Sequence, residues 1–283
     1  MPEGDTVWLV AHNLDVALAS DVLTRTDFRV PSLATTDLSG RAVVEVVPRG
    51  KHLLMRIEGG LTLHSHLRMD GAWHLHRPGA RWTGGPEHEI RVVLSTSAWD
   101  AIGYRLPVLE LVETAHEDEV VGHLGPDLLD PGFDAAEAVR RLLARPDREI
   151  GQALLDQTDL AGLGNIYKAE SLFLERVSPW TRVGDVGDLP RLVERARRLL
   201  DTNKAHASQA TTGDPRPGRQ HSVYGRGGRS CLRCGGRVAT ATQGDPPYDR
   251  VTYWCPACQP GPAPAVVASH RPRPPGRRAP RRT

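Results

Sequence analysis

The four cysteines of this 283-residue chain lie in two C-x-x-C pairs near its C-terminal end. Cys231 and Cys234 form the first pair, and Cys255 and Cys258 form the second after twenty intervening residues. Two such pairs at this spacing can arrange four thiolates tetrahedrally around Zn²⁺. One alternative is a pair of disulfides, which a cytosolic location disfavours. The other is four thiols without a function, which the clustering of every cysteine in one pattern disfavours. Because four protein ligands leave no open position, we predict one structural zinc and no catalytic metal.

A glycine-rich turn separates two helical patterns in the segment LLDQTDLAGLGNIYKAESLF. Gly162 and Gly164 let the backbone come close to a ligand, and the N–H groups that begin the second helix favour an anion. Asn165 adds a side-chain donor. One interpretation is that this turn binds a phosphate, and the other is that it is an ordinary tight helical hairpin. The segment alone favours neither.

Basic residues are concentrated in the last third of the chain. Lys51, Lys168 and Lys204 are the only lysines, and the remaining basic residues are arginines, which suit bidentate contacts to phosphate. Residues 259–283 contain six Arg and no acid, and residues 203–258 contain eight Lys or Arg against three Asp. Since the whole chain has a formal net charge of +2, the preceding residues carry −9. This asymmetry favours a nucleic-acid partner over the alternative, a soluble protein with a basic tail.

The elements that must position these groups begin with a helix and a set of strands. An apolar stripe predicts a helix over Thr6–Ser20, capped by Asp5 or Thr6. Six β-like runs separated by turn residues follow: Arg41–Val47, Lys51–Ile57, Leu61–Leu67, Glu89–Ser95, Ala98–Tyr104 and Leu109–Glu113. One helix followed by so many short strands predicts a β-sandwich.

Helical patterns replace the strands after about residue 130. They predict a helix capped by Asp134 and three more over Arg148–Gln157, Ile166–Val177 and Leu189–Thr202. A β-hairpin with Arg250 near its bend is expected between the cysteine pairs. We predict an α+β multidomain chain with boundaries at 1–125 (β-sandwich), 130–222 (helical), 223–259 (zinc finger) and 260–283 (disordered Arg/Pro tail).

No apolar run approaches the length that a bilayer requires, and no basic-then-apolar secretory signal begins the chain. We therefore expect a protein of the cytoplasm, associated with the nucleoid, and no membrane partner.

Five motifs occur in the order of a known family: MPEG, RGKHLL, DQTDLAGLGNIYKAESLF, VYGRGGRSCLRCGG and DRVTYWCPAC. The chain resembles the bacterial formamidopyrimidine-DNA glycosylase and endonuclease VIII family of base-excision repair enzymes. The ordered set covers nearly all of residues 1–258 and leaves out the tail. The resemblance implies a catalytic β-sandwich domain, a helix–two-turn–helix domain and a zinc finger, with damaged DNA in the cleft between two lobes of a monomer.

The resemblance also implies a mechanism that uses the first residues. Removal of Met1 would free the secondary amine of Pro2, which attacks C1′ of the damaged nucleotide, expels the base and forms a Schiff base. An α-amino group titrates near ~8, so part of it is nucleophilic at neutral pH. Glu3 would be the acid–base group, and β- and δ-elimination would cleave the strand. Without the other motifs, Pro2 and Glu3 would be interpreted as a frayed start before a helix cap.

Contacts to the DNA backbone are assigned by the same resemblance. Lys51 would contact the phosphate beside the lesion and assist as a proton donor; a solvated turn lysine is the alternative. Gly164, Asn165 and Arg250 would hold the same backbone from the other lobe. Arg250 lies five residues before Cys255, at the position of the family's zinc-finger arginine, which is also assigned to δ-elimination. An exposed arginine on a zinc ribbon is the alternative.

An enzyme of this kind extrudes its target nucleotide, and apolar wedges commonly fill such gaps. The segment SHLRMDG at 65–71 occupies the position of the family's void-filling loop, with Met69 as the candidate wedge and Arg68 as a possible aid. A core methionine at a strand end is an equal alternative. Asp70 departs from the bulkier trio of the pyrimidine branch.

Gly4 matches the endonuclease VIII branch, which removes oxidised pyrimidines, whereas the purine branch has Leu there. Asp5 replaces a Pro common to both branches, as in an actinobacterial type of chain, and Asn203–Ser222 is short for a loop that encloses 8-oxoguanine. We predict a bifunctional DNA glycosylase and AP lyase that favours oxidised pyrimidines. The alternatives are 8-oxoguanine-type purine specificity, a catalytically silent DNA-damage-binding protein and a zinc-ribbon nucleic-acid adaptor.

Overall fold

The computed structural model describes residues 2–247 and 249–264, so most of the predicted Arg/Pro tail lies outside the described residues. The helices are α1 (Gly4–Leu18), α2 (Asp118–Val121), α3 (Ala135–Leu143), α4 (Ile150–Ala153), α5 (Asn165–Leu174) and α6 (Leu189–Asn203). The strands are β1 (Arg25–Phe28), β2 (Val43–Arg49), β3 (His52–Ile57), β4 (Leu61–His66), β5 (Ala72–His76), β6 (Ile90–Ser95), β7 (Asp100–Tyr104), β8 (Val108–Glu113), β9 (Ala239–Gln243) and β10 (Arg250–Trp254). Within this part of the chain, no helix is long and apolar enough to cross a membrane.

The first lobe is a β-sandwich, as predicted. Its two antiparallel sheets have strand orders β1-β6-β7-β5 and β2-β3-β4-β8, and their inner faces enclose one apolar core. Strands β1 and β5 were not predicted. Both lie at the edges of their sheet, where the short sequences RTDF and AWHLH bury few side chains and therefore carry a weak hydrophobic pattern.

Helix α1 packs on the sandwich through Val7, Ala11 and Leu14, which are buried in the same core. The helix begins at Gly4 with Glu3 at the N-cap position, so the predicted start at Thr6 with an Asp5 or Thr6 cap is wrong. The side chain of Asp5 does not cap because it faces the second lobe, as described below.

The second lobe packs helices α3 to α6 around a separate core. Asp134 caps α3 as predicted, since its carboxylate accepts the N–H of Glu137 at 2.9 Å. The predicted helix over Arg148–Gln157 is reduced to the single turn of α4. Asp156 ends that pattern because its carboxylate accepts the backbone N–H of Thr158 at 3.0 Å, an alternative to helical hydrogen bonding.

The C-terminal module contains the predicted hairpin. Strands β9 and β10 pair antiparallel, and Arg250 stands opposite Gln243 at the first pair after the turn. Ala169 and Phe173 of α5 share a third apolar cluster with Val223 and the cysteines. Helix α5 therefore packs against both the helical core and the cysteine module.

Gly162 has a backbone φ of +92°, a conformation that L side chains rarely adopt. Gly162→Ala should therefore lower the free energy of unfolding by about 1–2 kcal/mol. Gly187→Ala is the matched control, because a Cβ there meets nothing within 4 Å, and it should change stability by less than about 0.5 kcal/mol. Chemical denaturation measures both, and equal effects would contradict this interpretation.

Candidate active site

The carboxylate of Glu3 is fully buried and lies at the N-terminus of α5. Its Oε2 accepts the backbone N–H of Gly164 at 2.9 Å, and its Oε1 accepts the N–H of Ile166 at 2.7 Å. A helix N-terminus favours negative charge. The anion at this turn is thus a side chain of the chain itself, and these two N–H groups are not available for the phosphate that the sequence suggested.

Burial raises the pKa of Glu3 to about 7, and the nearby carboxylate of Asp5 adds to the rise. The charge of Lys51 and the N–H of Ile166 act in the opposite direction. Near neutral pH the carboxyl is therefore present in both protonated and ionised forms. A group in that state can donate a proton in one step and accept one in another.

Two glycines allow the N-terminal segment to lie directly against the turn before α5. A Cβ on Gly164 would lie 2.3 Å from Cδ of Glu3, and a Cβ on Gly4 would lie 3.0 Å from Cα of Gly162. The N–H of Gly4 donates to the carbonyl of Gly162 at 2.9 Å. The sequence predicted that Gly162 and Gly164 would approach a ligand, but the group that approaches them is the chain's own segment that carries Pro2 and Glu3. Pro2 itself is half-buried.

Lys51 lies at the turn between β2 and β3, and its Nζ donates to the carbonyl of Leu163 at 2.6 Å. Asp127 holds this turn by accepting the N–H of Gly50 at 2.6 Å. Burial lowers the pKa of Lys51, while the charge of Glu3 opposes that change. The alternative of a freely solvated turn lysine is therefore wrong.

Asn165 and Arg250 lie on the other side of the turn. Nδ2 of Asn165 donates to the carbonyl of Val251 at 2.9 Å, so this donor anchors β10. Oδ1 of Asn165 is buried and has no hydrogen-bond partner among the described residues. Arg250 is exposed, and its Nη1 donates to the carbonyl of Asp249 at 2.8 Å. Its guanidinium is close enough to lower the pKa of Lys51.

Lys168 is fully buried on α5, and the sequence did not indicate its role. Its Nζ donates to Oγ1 of Thr252 at 2.8 Å, and that hydroxyl donates to Oε1 of Gln243 at 3.2 Å. Burial lowers the pKa of Lys168 to about 7, with the charge of Glu3 opposing and that of Arg250 reinforcing the change. Its rarity among arginines and its place in the apolar segment IYKAESLF were the available signals.

Met69 is 59% exposed in the turn between β4 and β5, so the alternative of a core methionine is wrong. Arg68 beside it has a φ of +46°. The carbonyl of Asp70 accepts Nε of Arg105 at 2.9 Å, which ties this turn to the neighbouring β7–β8 connection. The apolar tip of the turn is thus available to a partner molecule.

The four cysteine sulfurs lie within 4.8 Å of one another. The Sγ atoms of Cys231 and Cys258 are 3.9 Å apart, and those of Cys234 and Cys255 are 3.5 Å apart. Tetrahedral zinc with four thiolates requires sulfur separations of about 3.8 Å. The cluster therefore fits a four-coordinate metal ion with no position left for a substrate.

Comparisons with known proteins identify the family of the chain. The profile described as formamidopyrimidine-DNA glycosylase N-terminal domain matches residues 1–104, and that described as formamidopyrimidine-DNA glycosylase H2TH domain matches residues 124–201. The chain belongs to the formamidopyrimidine-DNA glycosylase and endonuclease VIII family, a family of DNA-repair enzymes, and falls in its endonuclease VIII-like branch.

Two curated relatives specify the branch. The chain is 56% identical to the probable endonuclease 8 2 of Streptomyces coelicolor, over 93% of this chain and 96% of that protein. It is 47% identical to the DNA-(apurinic or apyrimidinic site) lyase Nei2 of Mycolicibacterium smegmatis, over 92% and 99% of the two chains.

A solved structure supports the fold. Lactococcus lactis Fpg in complex with DNA containing an abasic site superimposes with a TM-score of 0.76, at 24% identity, over 91% of this chain and 99% of that one.

Replacing Lys168 should change how stability depends on pH. The pKa of this buried lysine is about 7 in the folded protein and near 10.5 in the unfolded chain, so between these values the unfolded chain binds more protons and stability rises with pH. Lys168→Met removes this contribution. The free energy of unfolding of the wild type relative to Lys168→Met should rise by about 2 kcal/mol from pH 7 to pH 9.

Lys204→Met is the control, because Lys204 is partly exposed and pairs with Asp201 on the surface. Its stability difference from the wild type should stay nearly constant over the same pH range. Parallel pH dependences for the wild type and Lys168→Met in denaturant titrations would contradict the burial of a titrating amine.

Proposed function

We propose that the chain is a bifunctional DNA glycosylase and AP lyase that removes oxidised bases, with pyrimidines favoured. The observation that carries this proposal is the buried carboxyl of Glu3, fixed at the N-terminus of α5 directly after Pro2, with a pKa of about 7. This carboxyl can therefore both donate and accept a proton near neutral pH beside the nitrogen of Pro2, as the proposed chemistry requires.

The proposed reaction begins with the free amine of Pro2 after removal of Met1. The amine nitrogen forms a bond to C1′ of the extruded nucleotide as the base leaves with the electrons of its glycosidic bond. The amine nitrogen loses its N–H proton, the departing base takes up a proton, and Glu3 donates its own proton to the sugar ring oxygen. The ring then opens and an iminium joins Pro2 to the sugar. The ionised Glu3 can then accept the C2′ proton as the 3′ phosphate leaves, and loss of a second proton, from C4′, expels the 5′ phosphate.

Cationic groups near Glu3 suit the negative charge that the phosphates bring. Lys51 approaches the site from the β-sandwich and Arg250 from the hairpin, and we assign both to the DNA backbone at the lesion. We assign Gly164 and Asn165, at the start of α5, to the same DNA backbone, with Nδ2 of Asn165 exchanging the carbonyl of Val251 for a phosphate oxygen. The exposed Met69, with Arg68, is proposed to fill the gap that the extruded nucleotide leaves.

Damaged DNA is the proposed substrate, and two relatives support that choice by name. One is called a DNA-(apurinic or apyrimidinic site) lyase, and the other is called a probable endonuclease 8 2. We propose a preference for pyrimidines because the chain belongs to the endonuclease VIII-like branch and has Gly4 where the purine branch has a larger residue. At this position a larger side chain would crowd the backbone of Gly162.

We propose that the metal ion held by the four cysteines is zinc, which would hold the β9–β10 hairpin and thus Arg250 in place. Complete chelation should therefore unfold the finger and weaken binding to duplex DNA. Elemental analysis should find one zinc per chain in the untreated protein, and fluorescence anisotropy should follow the loss of affinity. Unchanged affinity after complete metal removal would contradict this role.

The chemistry is tested by borohydride trapping on a duplex that contains an abasic site or thymine glycol. Glu3→Gln keeps the size of the side chain but cannot transfer the proton, so strand incision should fall by at least about 100-fold. Glu113→Gln, at the exposed edge of β8, is the matched control and should leave trapping unchanged.

An extension ahead of Met1 that prevents its removal should abolish the covalent adduct while DNA binding persists. Undiminished trapping with that extension would exclude Pro2 as the nucleophile. Tight binding by the wild type without any adduct, on several lesions, would favour the damage-binding alternative. Faster excision of 8-oxoguanine than of thymine glycol would favour the purine alternative.

A further inference from the structure

Asp5 is a second buried carboxylate beside Glu3, and the proposed chemistry does not use it. It is 2% exposed, and the hydrogen-bond donors that reach it are neutral. The hydroxyl of Tyr167 donates to Oδ2 of Asp5 in a short hydrogen bond. The side-chain amide of Gln209 donates to both carboxylate oxygens, at 2.9 and 3.2 Å. Burying a carboxylate among neutral donors is costly, which indicates that its charge or position matters here.

Tyr167 contacts both buried carboxylates. Its backbone N–H lies 3.4 Å from Oε2 of Glu3, while its hydroxyl bonds to Asp5. Burial and the neighbouring carboxylates raise the pKa of Tyr167, so the hydroxyl stays protonated and remains a donor. A shift of Asp5 would therefore move the first turn of α5, on which Glu3 depends.

Gln209 reaches Asp5 from the loop at residues 204–222, which follows α6. The two residues that follow Gln209 are anchored, because the N–H of Ala210 donates to Oδ1 of Asn203 at 2.8 Å and the hydroxyl of Thr211 donates to Glu170 at 2.8 Å. Glu170 is fully buried and also accepts the N–H of Ser222 at 2.8 Å. The loop is thus held where it lies against the N-terminal segment, next to Pro2 and Glu3.

Several charged or titratable groups surround Glu3. They are Asp5 on α1, Lys51 on the β2–β3 turn, Tyr167 and Lys168 on α5, and Tyr224 after the 204–222 loop. Of these, Asp5 contributes the negative charge that opposes ionisation of Glu3, and Lys51 favours it. The balance between the two determines how readily Glu3 holds a proton.

We propose that Asp5, Tyr167 and Gln209 form an interlobe latch that fixes the 204–222 loop to the N-terminal segment and keeps Glu3 able to hold its proton. These three are positioning residues that act through Glu3. The inference rests on the proposed function, because it assigns the latch to the acid step of that reaction. It also gives a role to Asp5, the residue at which this chain departs from the proline of both family branches.

The latch is tested by the pH dependence of single-turnover incision at an abasic site. Because the acid form of Glu3 is required, its pKa sets the alkaline limb of the profile. Asp5→Asn removes a negative charge and should shift this limb to lower pH by at least about half a unit. Gln209→Lys places a positive charge beside Asp5, offsets its negative charge and should also shift the limb to lower pH. Ser208→Ala, a neighbouring exposed position, should leave the profile unchanged.

A purely structural role predicts slower incision in both variants with no movement of the limb, and that result would overturn the latch. Carbon-13 NMR titration of Glu3 in the DNA-free protein reads the same pKa shifts without activity. If the wild type fails to cleave DNA, the proposed function is refuted, while the titration still decides whether Asp5 and Gln209 control Glu3. Gln209 lies in a surface loop, so its variant remains informative if Asp5→Asn does not fold.

Discussion

The hydrogen bonds between the carboxylate of Glu3 and the N–H groups of Gly164 and Ile166 fix the relation between the two lobes. They give the buried carboxylate the partners that it needs and provide the first turn of α5 with its cap. The glycines at positions 4 and 164 follow from this contact, because a Cβ at either would lie within 3.0 Å of atoms of the facing segment, whereas Gly162 is required by its φ of +92°. The same contact places the amine of Pro2 beside a carboxyl that can exchange protons near neutral pH.

Helix α5 carries most of the groups that connect the parts of the molecule. Its start holds Glu3, Tyr167 reaches Asp5, and Lys168 reaches Thr252 of the hairpin. Further along, Glu170 accepts the backbone N–H groups of the segment that follows the 204–222 loop. Buried polar groups of this kind contribute little net stability, and their value lies in requiring one arrangement of the parts they join.

The sequence predicted the features that depend on local spacing. The two C-x-x-C pairs predicted the cysteine cluster, the Asp134 cap is confirmed, and the run of short strands predicted the β-sandwich. The order of five motifs gave the family. Features that depend on distant partners could not be predicted. The carboxylate at the turn before α5 comes from residue 3, and the donor of Asn165 is used by Val251. The short edge strands β1 and β5 were not predicted either, because they bury too few side chains to show a hydrophobic pattern.

The contact between Glu3 and α5 joins residues about 160 positions apart in the chain. During synthesis at roughly 5–20 residues per second, the N-terminal segment therefore waits on the order of ten seconds before its partner helix exists. In that interval the β-sandwich can assemble, but the buried environment that raises the pKa of Glu3 cannot form. The reactive site is consequently completed only after the whole β-sandwich has been made, and a nascent chain that stops before α5 lacks it.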